Sequence, residues 1–194
     1  MAFLKKNFAI VLAFALPILL ILGLAVYAYL PGVFLTTQYD FLYATCGDTV
    51  KNYPYNCQNY MNGLYKVVNG TIVVQPVNPT QDLDKNGLPD ATENYPIRIF
   101  FHDTLKNESR EITLADAQVF SLSGLLTSPD GVSVSDGYSR GSDFFIFGGG
   151  SSYYGYYLSK GRRQHRLHLI NDNDHYYYNN NFKFLGWVLT PHSK

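Results

Sequence analysis

Leu64-Tyr65-Lys66-Val67-Val68-Asn69-Gly70-Thr71-Ile72-Val73-Val74 is the stretch that decides the fold class of this chain. Two runs rich in β-branched residues flank Asn-Gly, the dipeptide whose left-handed backbone closes a two-residue hairpin. The sequence on either side repeats the theme of short strands and tight turns. Pro76 and Pro79 stop the sheet, and beyond them Ile97-Arg98-Ile99-Phe100-Phe101 alternates so that Ile97, Ile99 and Phe101 share one face of a strand. Ser128-Pro129-Asp130-Gly131 reads as a turn between Leu125–Thr127 and Val132–Ser135. Further strands are expected at Asp143–Phe147, Tyr153–Ser159, Arg163–Ile170 and Phe182–Leu189, separated by glycines and the polar Asn171–Asp174. Thr113 with Asp116 caps a short helix reaching about Leu122. The expected fold is a mainly antiparallel all-β domain over residues 97–190, sandwich or meander, with one short helix. Seventeen tyrosines, with many Gly and Asn, suit that architecture and argue against a helical bundle.

The N-terminal part has a different character. No charged residue occurs from Phe8 to Leu30, a run that reaches about 35 Å as a helix, enough to cross a ~30 Å hydrocarbon core. Lys5 and Lys6 precede it and no charge follows until Asp40, so residues 1–7 are expected in the cytoplasm and the rest outside. Tyr27 and Tyr29 fall where an outer aromatic belt would lie, and Pro17 is tolerable inside a membrane helix. The rival is a secreted protein whose signal peptide is cleaved after Ala28, although a signal core is usually about 7–15 residues. The expectation is a single-pass cell-membrane signal-anchor at 8–30 touching lipid, with Pro31-Gly32 ending the helix and residues 31–40 as a tether. Residues 41–77 then form a membrane-proximal piece holding the cysteine loop and the hairpin.

Cys46 and Cys57 are the two cysteines of the chain, and an extracytoplasmic setting favours a disulfide between them. A closed loop of about ten residues contributes roughly 2–3 kcal/mol on the loop-entropy model. Basic and acidic residues balance at 15 each, with no basic block beyond Arg162-Arg163, so nucleic acid is excluded as an expected partner.

Asp82-Leu83-Asp84-Lys85-Asn86-Gly87-Leu88-Pro89-Asp90-Ala91-Thr92-Glu93 carries the one chemical pattern of note. Ca²⁺ takes six to eight oxygens, and a twelve-residue loop presents them from positions 1, 3, 5, 7, 9 and 12. Here those positions are Asp82, Asp84, Asn86, the Leu88 carbonyl, Asp90 and Glu93, with Gly87 supplying the turn at position 6. Gln75-Pro76-Val77-Asn78-Pro79 cannot be an incoming helix, and Pro96 limits an outgoing one. The segment 82–93 therefore resembles the free-standing calcium loops of thrombospondin type 3 repeats and dockerins. That resemblance covers twelve residues and implies structural calcium.

Other patterns weigh less. Gly137-Tyr138-Ser139-Arg140-Gly141 matches a nucleophile elbow, with Asp172 or Asp174 and His175 or His192 in order behind it. An elbow needs a helix after it, and Ser142–Phe147 reads as strand, so no catalytic residue is assigned and an extracytoplasmic hydrolase around Ser139 stays a distant alternative. His165 and His168 fall on opposite sides of one strand, and the histidines, His102 included, read as surface residues. Tyr153, Tyr154, Tyr156, Tyr176 and Tyr177 form a candidate surface for a carbohydrate or peptide partner. Asn69-Gly70-Thr71 and Asn107-Glu108-Ser109 match the glycosylation tripeptide. The expected role is a cell-surface or envelope interaction protein, not an enzyme.

Overall fold

The computed structural model of the chain describes residues 7–33, 35–46, 57–76, 78, 80, 82, 87, 89, 97–138, 154–161, 163–170 and 181–192, without side chains at 25–33, 57–59, 138 and 154. The chain forms two units, Met1–Leu35 and Thr36–Lys194. The first contains α1, Phe8–Val33, a helix of 26 residues that passes through Pro17 and Pro31. Helices usually stop before a proline, but Pro31 removes one rung near the end, and α1 continues two residues beyond it. Its described apolar side chains are largely exposed, Phe14 at 73% and Leu19 at 65%. Among the described residues no helix is long and apolar enough to cross a membrane. The side chains of α1 are described only from Phe8 to Leu24, about 26 Å of helix against a ~30 Å hydrocarbon core.

The second unit is built on a five-stranded antiparallel sheet. Its strands are β1 (Phe41–Cys46), β4 (Ile97–Asp103), β5 (Glu108–Ile112), β6 (Leu122–Ser123) and β10 (Phe182–Val188), in the order β5-β4-β1-β10-β6. β2 (Tyr65–Val68) and β3 (Thr71–Val74) form a hairpin of their own. β7 (Ser133–Tyr138), β8 (Tyr154–Lys160) and β9 (Arg163–Arg166) form a three-stranded meander. Short helices α2 (Cys57–Leu64) and α3 (Leu114–Val119) complete the unit. The fold is mainly antiparallel β, as expected. The expected strand Asp143–Phe147 lies outside the described residues.

The hairpin forms where the sequence places it. Asn69 and Gly70 take φ of 50° and 80°, the two left-handed residues of the predicted turn, and Tyr65 to Val68 pair in register with Val74 to Thr71. α3 starts at the Thr113–Asp116 capping box. It stops at Phe120, short of the expected Leu122, because Leu122 pairs with Val188 in the main sheet. Gly131 N–H donates to the Ser128 carbonyl at 2.9 Å, closing the expected turn.

β1 corrects the expected division of the chain. Residues 41–77 do not stand apart from 97–190: β1 is the middle strand of the sheet and pairs with both β4 and β10. All six of its residues are buried. Leu42, Ala44 and Cys46 face a core closed by Met61 of α2, Tyr65 and Ile72 of the hairpin and Ala117 of α3. Phe41 and Tyr43 face the other way, into an aromatic layer. Tyr43 stacks between Phe100 and Phe182 at 5.2 Å each, and Phe41 meets Trp187 edge-on at 5.5 Å. A strand covered on both faces shows no polar alternation, so Phe41–Cys46 gives no period-2 signal. Likewise β4 buries Phe100 and His102 as well as Ile99, so its second face is core and not solvent. The meander lies over the aromatic layer, with the Tyr156 ring of β8 3.9 Å from Phe182.

Beyond β1 and β6, α2 and β5 were also not expected. α2 turns Met61 into the core with Leu64 packed beside it, an i, i+3 pair just after the second cysteine. β5 is an edge strand whose Glu108, Arg110 and Glu111 are exposed, and charge on an edge hides strand propensity while blocking unwanted pairing. Cys46 is fully buried and disulfide-bonded, and among the described residues no cysteine is free.

Candidate functional site

Three residues of the acidic loop are described: Asp82, Gly87 and Pro89. Gly87 adopts φ 91°, a conformation that glycine reaches without a Cβ clash. Its N–H donates to Asp82 Oδ2 at 2.8 Å, linking positions 6 and 1 of the loop. The approach is prepared by Asn78, whose side-chain oxygen accepts from the Thr80 N–H and hydroxyl at 3.2 and 3.1 Å. Asp84, Asn86, Leu88, Asp90 and Glu93 lie outside the described residues.

A second polar centre sits where the folded unit begins. Asp40, at the N-terminal edge of β1, is 8% exposed. Its Oδ1 accepts from the Thr104 N–H and from His192 Nε2, both at 2.9 Å, and the Thr104 hydroxyl lies at 3.4 Å. Burial raises the Asp40 pKa, against the lowering pull of the Thr104 N–H and of His192; Asp103 adds to the rise. Asp103 itself is held below the ordinary carboxylate range. Burial pushes it up, but N–H bonds and the ammonium of Lys106 outweigh that. Asp40, Asp103 and His192 bring their ligand atoms within 4.8 Å of one another, the one such group among the described residues. Two carboxylates and an imidazole fall short of the oxygen-rich shell of Ca²⁺, and their atoms are already engaged by N–H donors. The arrangement is a hydrogen-bonded clasp.

The clasp corrects the expected tether. Thr37 is 2% exposed, and its hydroxyl donates to the Asp130 carboxylate at 2.9 Å, which also accepts from the Gln38 N–H at 3.0 Å. The C-terminal segment closes over the same stretch, with Val188 N–H on the Asp40 carbonyl at 2.8 Å and His192 N–H on the Gln38 carbonyl at 2.9 Å. Residues 37–40 are therefore part of the fold. Nothing in the local sequence announces this clasp, because its members lie up to 152 residues apart.

Tyr156 is not the exposed aromatic platform that its sequence neighbourhood predicts. It is 5% exposed, stacked on Phe182, and burial raises its phenol pKa strongly. Tyr154 belongs to β8, its side chain not described, and Tyr153, Tyr176 and Tyr177 lie outside the described residues. Ser139, Asp172, Asp174 and His175 also lie outside them, and His192 is committed to Asp40. His102, expected at the surface, is fully buried against Phe41 with ring centroids 4.7 Å apart. Asn107 ties the β4–β5 turn to the meander: its amide nitrogen donates to the Arg166 carbonyl and its oxygen accepts from the His168 N–H, both at 2.9 Å. A glycan on Asn107 would replace one of the two hydrogens on this bonded nitrogen. Comparison with family models, curated proteins and solved structures gives no match to the chain.

Proposed function

We propose that this chain is a single-pass membrane protein whose outward-facing β domain carries a structural calcium ion and serves as a cell-surface or envelope interaction module. The observation that carries the reading is α1, 26 residues without a charge and with its described apolar side chains exposed to an unusual degree. A helix of that length reaches about 39 Å, and a bilayer is the solvent that exposed Phe and Leu side chains favour. A disulfide at Cys46, with Cys57 as its assigned partner, suits an oxidising exterior. Protease treatment of intact cells, with carbonate extraction of their membranes, tests the topology. A C-terminal tag cut from outside, on a chain that pellets with membranes, is the expected result. A chain extracted by carbonate, or a tag protected in intact cells, sinks the reading.

The calcium assignment is supported by the left-handed Gly87 and its bond to Asp82. Asp82, Asp84, Asn86, the Leu88 carbonyl, Asp90 and Glu93 would hold the ion, and charge repulsion among the acids would be relieved on binding. Extracellular modules bind at about 10⁻⁴–10⁻³ M. Calorimetry with millimolar Ca²⁺ should give saturable heat that Asp82→Ala abolishes, and the wild-type melting temperature should rise by a few degrees. No heat and no shift would remove calcium from the picture.

A further inference from the structure

Asp40, Asp103 and His192 arrive on three segments that hydrogen bonds already hold together. Val188 N–H donates to the Asp40 carbonyl at 2.8 Å and His192 N–H to the Gln38 carbonyl at 2.9 Å, which fixes the segment after β10 against the entry to β1. Thr104 N–H on Asp40 Oδ1 at 2.9 Å fixes the end of β4 against the same place. The sheet thus sets where these side chains stand, and little is left to organise when a ligand arrives. The hydrogen bonds are shared unevenly between the carboxylate oxygens. Asp40 takes the Thr104 N–H, the Thr104 hydroxyl and His192 Nε2 on Oδ1. Asp103 takes the Leu105 and Lys106 N–H groups on its own Oδ1, at 3.1 and 2.9 Å. Its Oδ2 faces the Lys106 ammonium at 3.4 Å, on a side chain 71% exposed. A cation therefore already stands against these acids, on a flexible surface arm that water readily reclaims. The bond from His192 Nε2 to Asp40 places a proton between them, and moving that proton to Nδ1 makes Nε2 a lone-pair donor.

The ligand atoms of the three residues lie within 4.8 Å of one another. Around a tetrahedral ion with bonds of about 2.1 Å, ligands stand roughly 3.4 Å apart, so the side-chain ends need to close by at most about 1.4 Å. The donor set chooses the ion. One imidazole nitrogen with two carboxylates suits borderline divalent ions, whereas Ca²⁺ and Mg²⁺ take oxygen ligands. Three protein ligands and a water form the shell that zinc takes where a site is partly open, and the His192 side chain is 24% exposed. We infer that Asp40, Asp103 and His192 bind a divalent ion of the zinc class, which displaces the Lys106 ammonium and locks the segment after β10 to the start of β1 and the end of β4. The site shares no residue with α1 or the acidic loop, so it stands apart from the membrane and calcium readings.

Calorimetric titration of Zn²⁺ into the full chain in detergent micelles at pH 7, with Ca²⁺ in excess to occupy any oxygen-only site, tests it. One saturable site is expected, with a higher melting temperature followed by Trp187 fluorescence. His192→Gln keeps an N–H for Asp40 but removes the imidazole, and Asp103→Asn keeps the Oδ1 acceptor but removes the charge. Each should weaken Zn²⁺ by about tenfold or more, and Asp82→Ala should leave it unchanged. With Co²⁺ in place of Zn²⁺, paramagnetic broadening in the wild-type NMR spectrum should centre on Asp40, Asp103 and His192, a readout that stands even where a variant fails to fold. Absence of both saturable heat and broadening overturns the inference. So does full-strength binding by His192→Gln, a loss on Asp82→Ala, or broadening centred on the other histidines or on residues 82–93, each of which puts the ion elsewhere.

Discussion

His102 shows how one side chain couples this fold to pH. Its Nδ1 lies 2.9 Å from Ser109 Oγ, while the buried Nε2 has no hydrogen-bond partner among the described residues. A neutral ring with its proton on Nδ1 donates to Ser109 and leaves only a lone pair at Nε2, cheaper than a buried N–H without an acceptor. Burial lowers the pKa from 6.5 to about 4, with Asp103 opposing the fall. Between those values the unfolded chain binds more protons than the folded one, so stability drops as pH falls below 6.5 and the loss is complete below 4. The gap corresponds to roughly 3 kcal/mol. Denaturant midpoints at pH 7, 6, 5 and 4.5 should show the slope, and His102→Gln should flatten it. An unchanged slope in the variant would show that other groups carry the acid sensitivity. Asp130 is a second residue of this kind. Burial raises its carboxyl, but the Ser128 and Thr37 hydroxyls and the Gln38 N–H hold it lower. Asp130→Ala should destabilise by about 2 kcal/mol in urea unfolding, through lost bonds to a charged acceptor.

At the scale of elements, two glycines carry separate demands. A Cβ on Gly186 of β10 would stand 2.8 Å from the Ser123 carbonyl and 3.3 Å from Leu122 Cβ. Neither neighbour is the end of a flexible side chain, so Gly186→Ala must push β6 away from the sheet. A loss of about 1–3 kcal/mol is expected, with faster amide exchange at Leu122 and Ser123. Gly70 has room, its nearest neighbours at 3.6 Å, and is needed for its φ of 80°. Gly70→Ala should therefore cost less, about 1 kcal/mol, and leave the register of Tyr65 with Val74 intact by NMR. Loss of cross-strand contacts there would show that the turn, and not the packing of Tyr65 and Ile72, sets the register.

For the molecule as a whole, the disulfide at Cys46 acts at the end of the central strand. If Cys57 closes it, the bridge pins α2 to the end of β1, so that Met61 meets Leu42 and Ala44 in one core. Removing it should lower stability by roughly 2–3 kcal/mol on the loop-entropy model. Urea midpoints before and after reduction measure this directly. Trp187, 5.5 Å from both Phe41 and Phe184, reports the aromatic layer by fluorescence. Equal midpoints would mean that packing alone holds α2 in place.

What the sequence alone determined is local. Asn69-Gly70 closes a hairpin, Thr113 with Asp116 starts a helix, and Ser128-Pro129-Asp130-Gly131 turns the chain, because each conformation is set by side chains within four residues of it. Gly87 belongs with these, its left-handed backbone following from its place in the acidic loop. What only the tertiary structure decided depends on who covers whom. Phe41–Cys46 became the central strand because neighbours arrive on both its faces, and a run buried twice carries no alternation to read. His102 and Tyr156 went inside for the same reason, their polar atoms giving no hint of the aromatic layer that receives them. The Asp40–His192 clasp and the Lys183–Asn62 bond arise between distant segments. Such contacts come from the order in which strands pair, a property that no short stretch of residues contains.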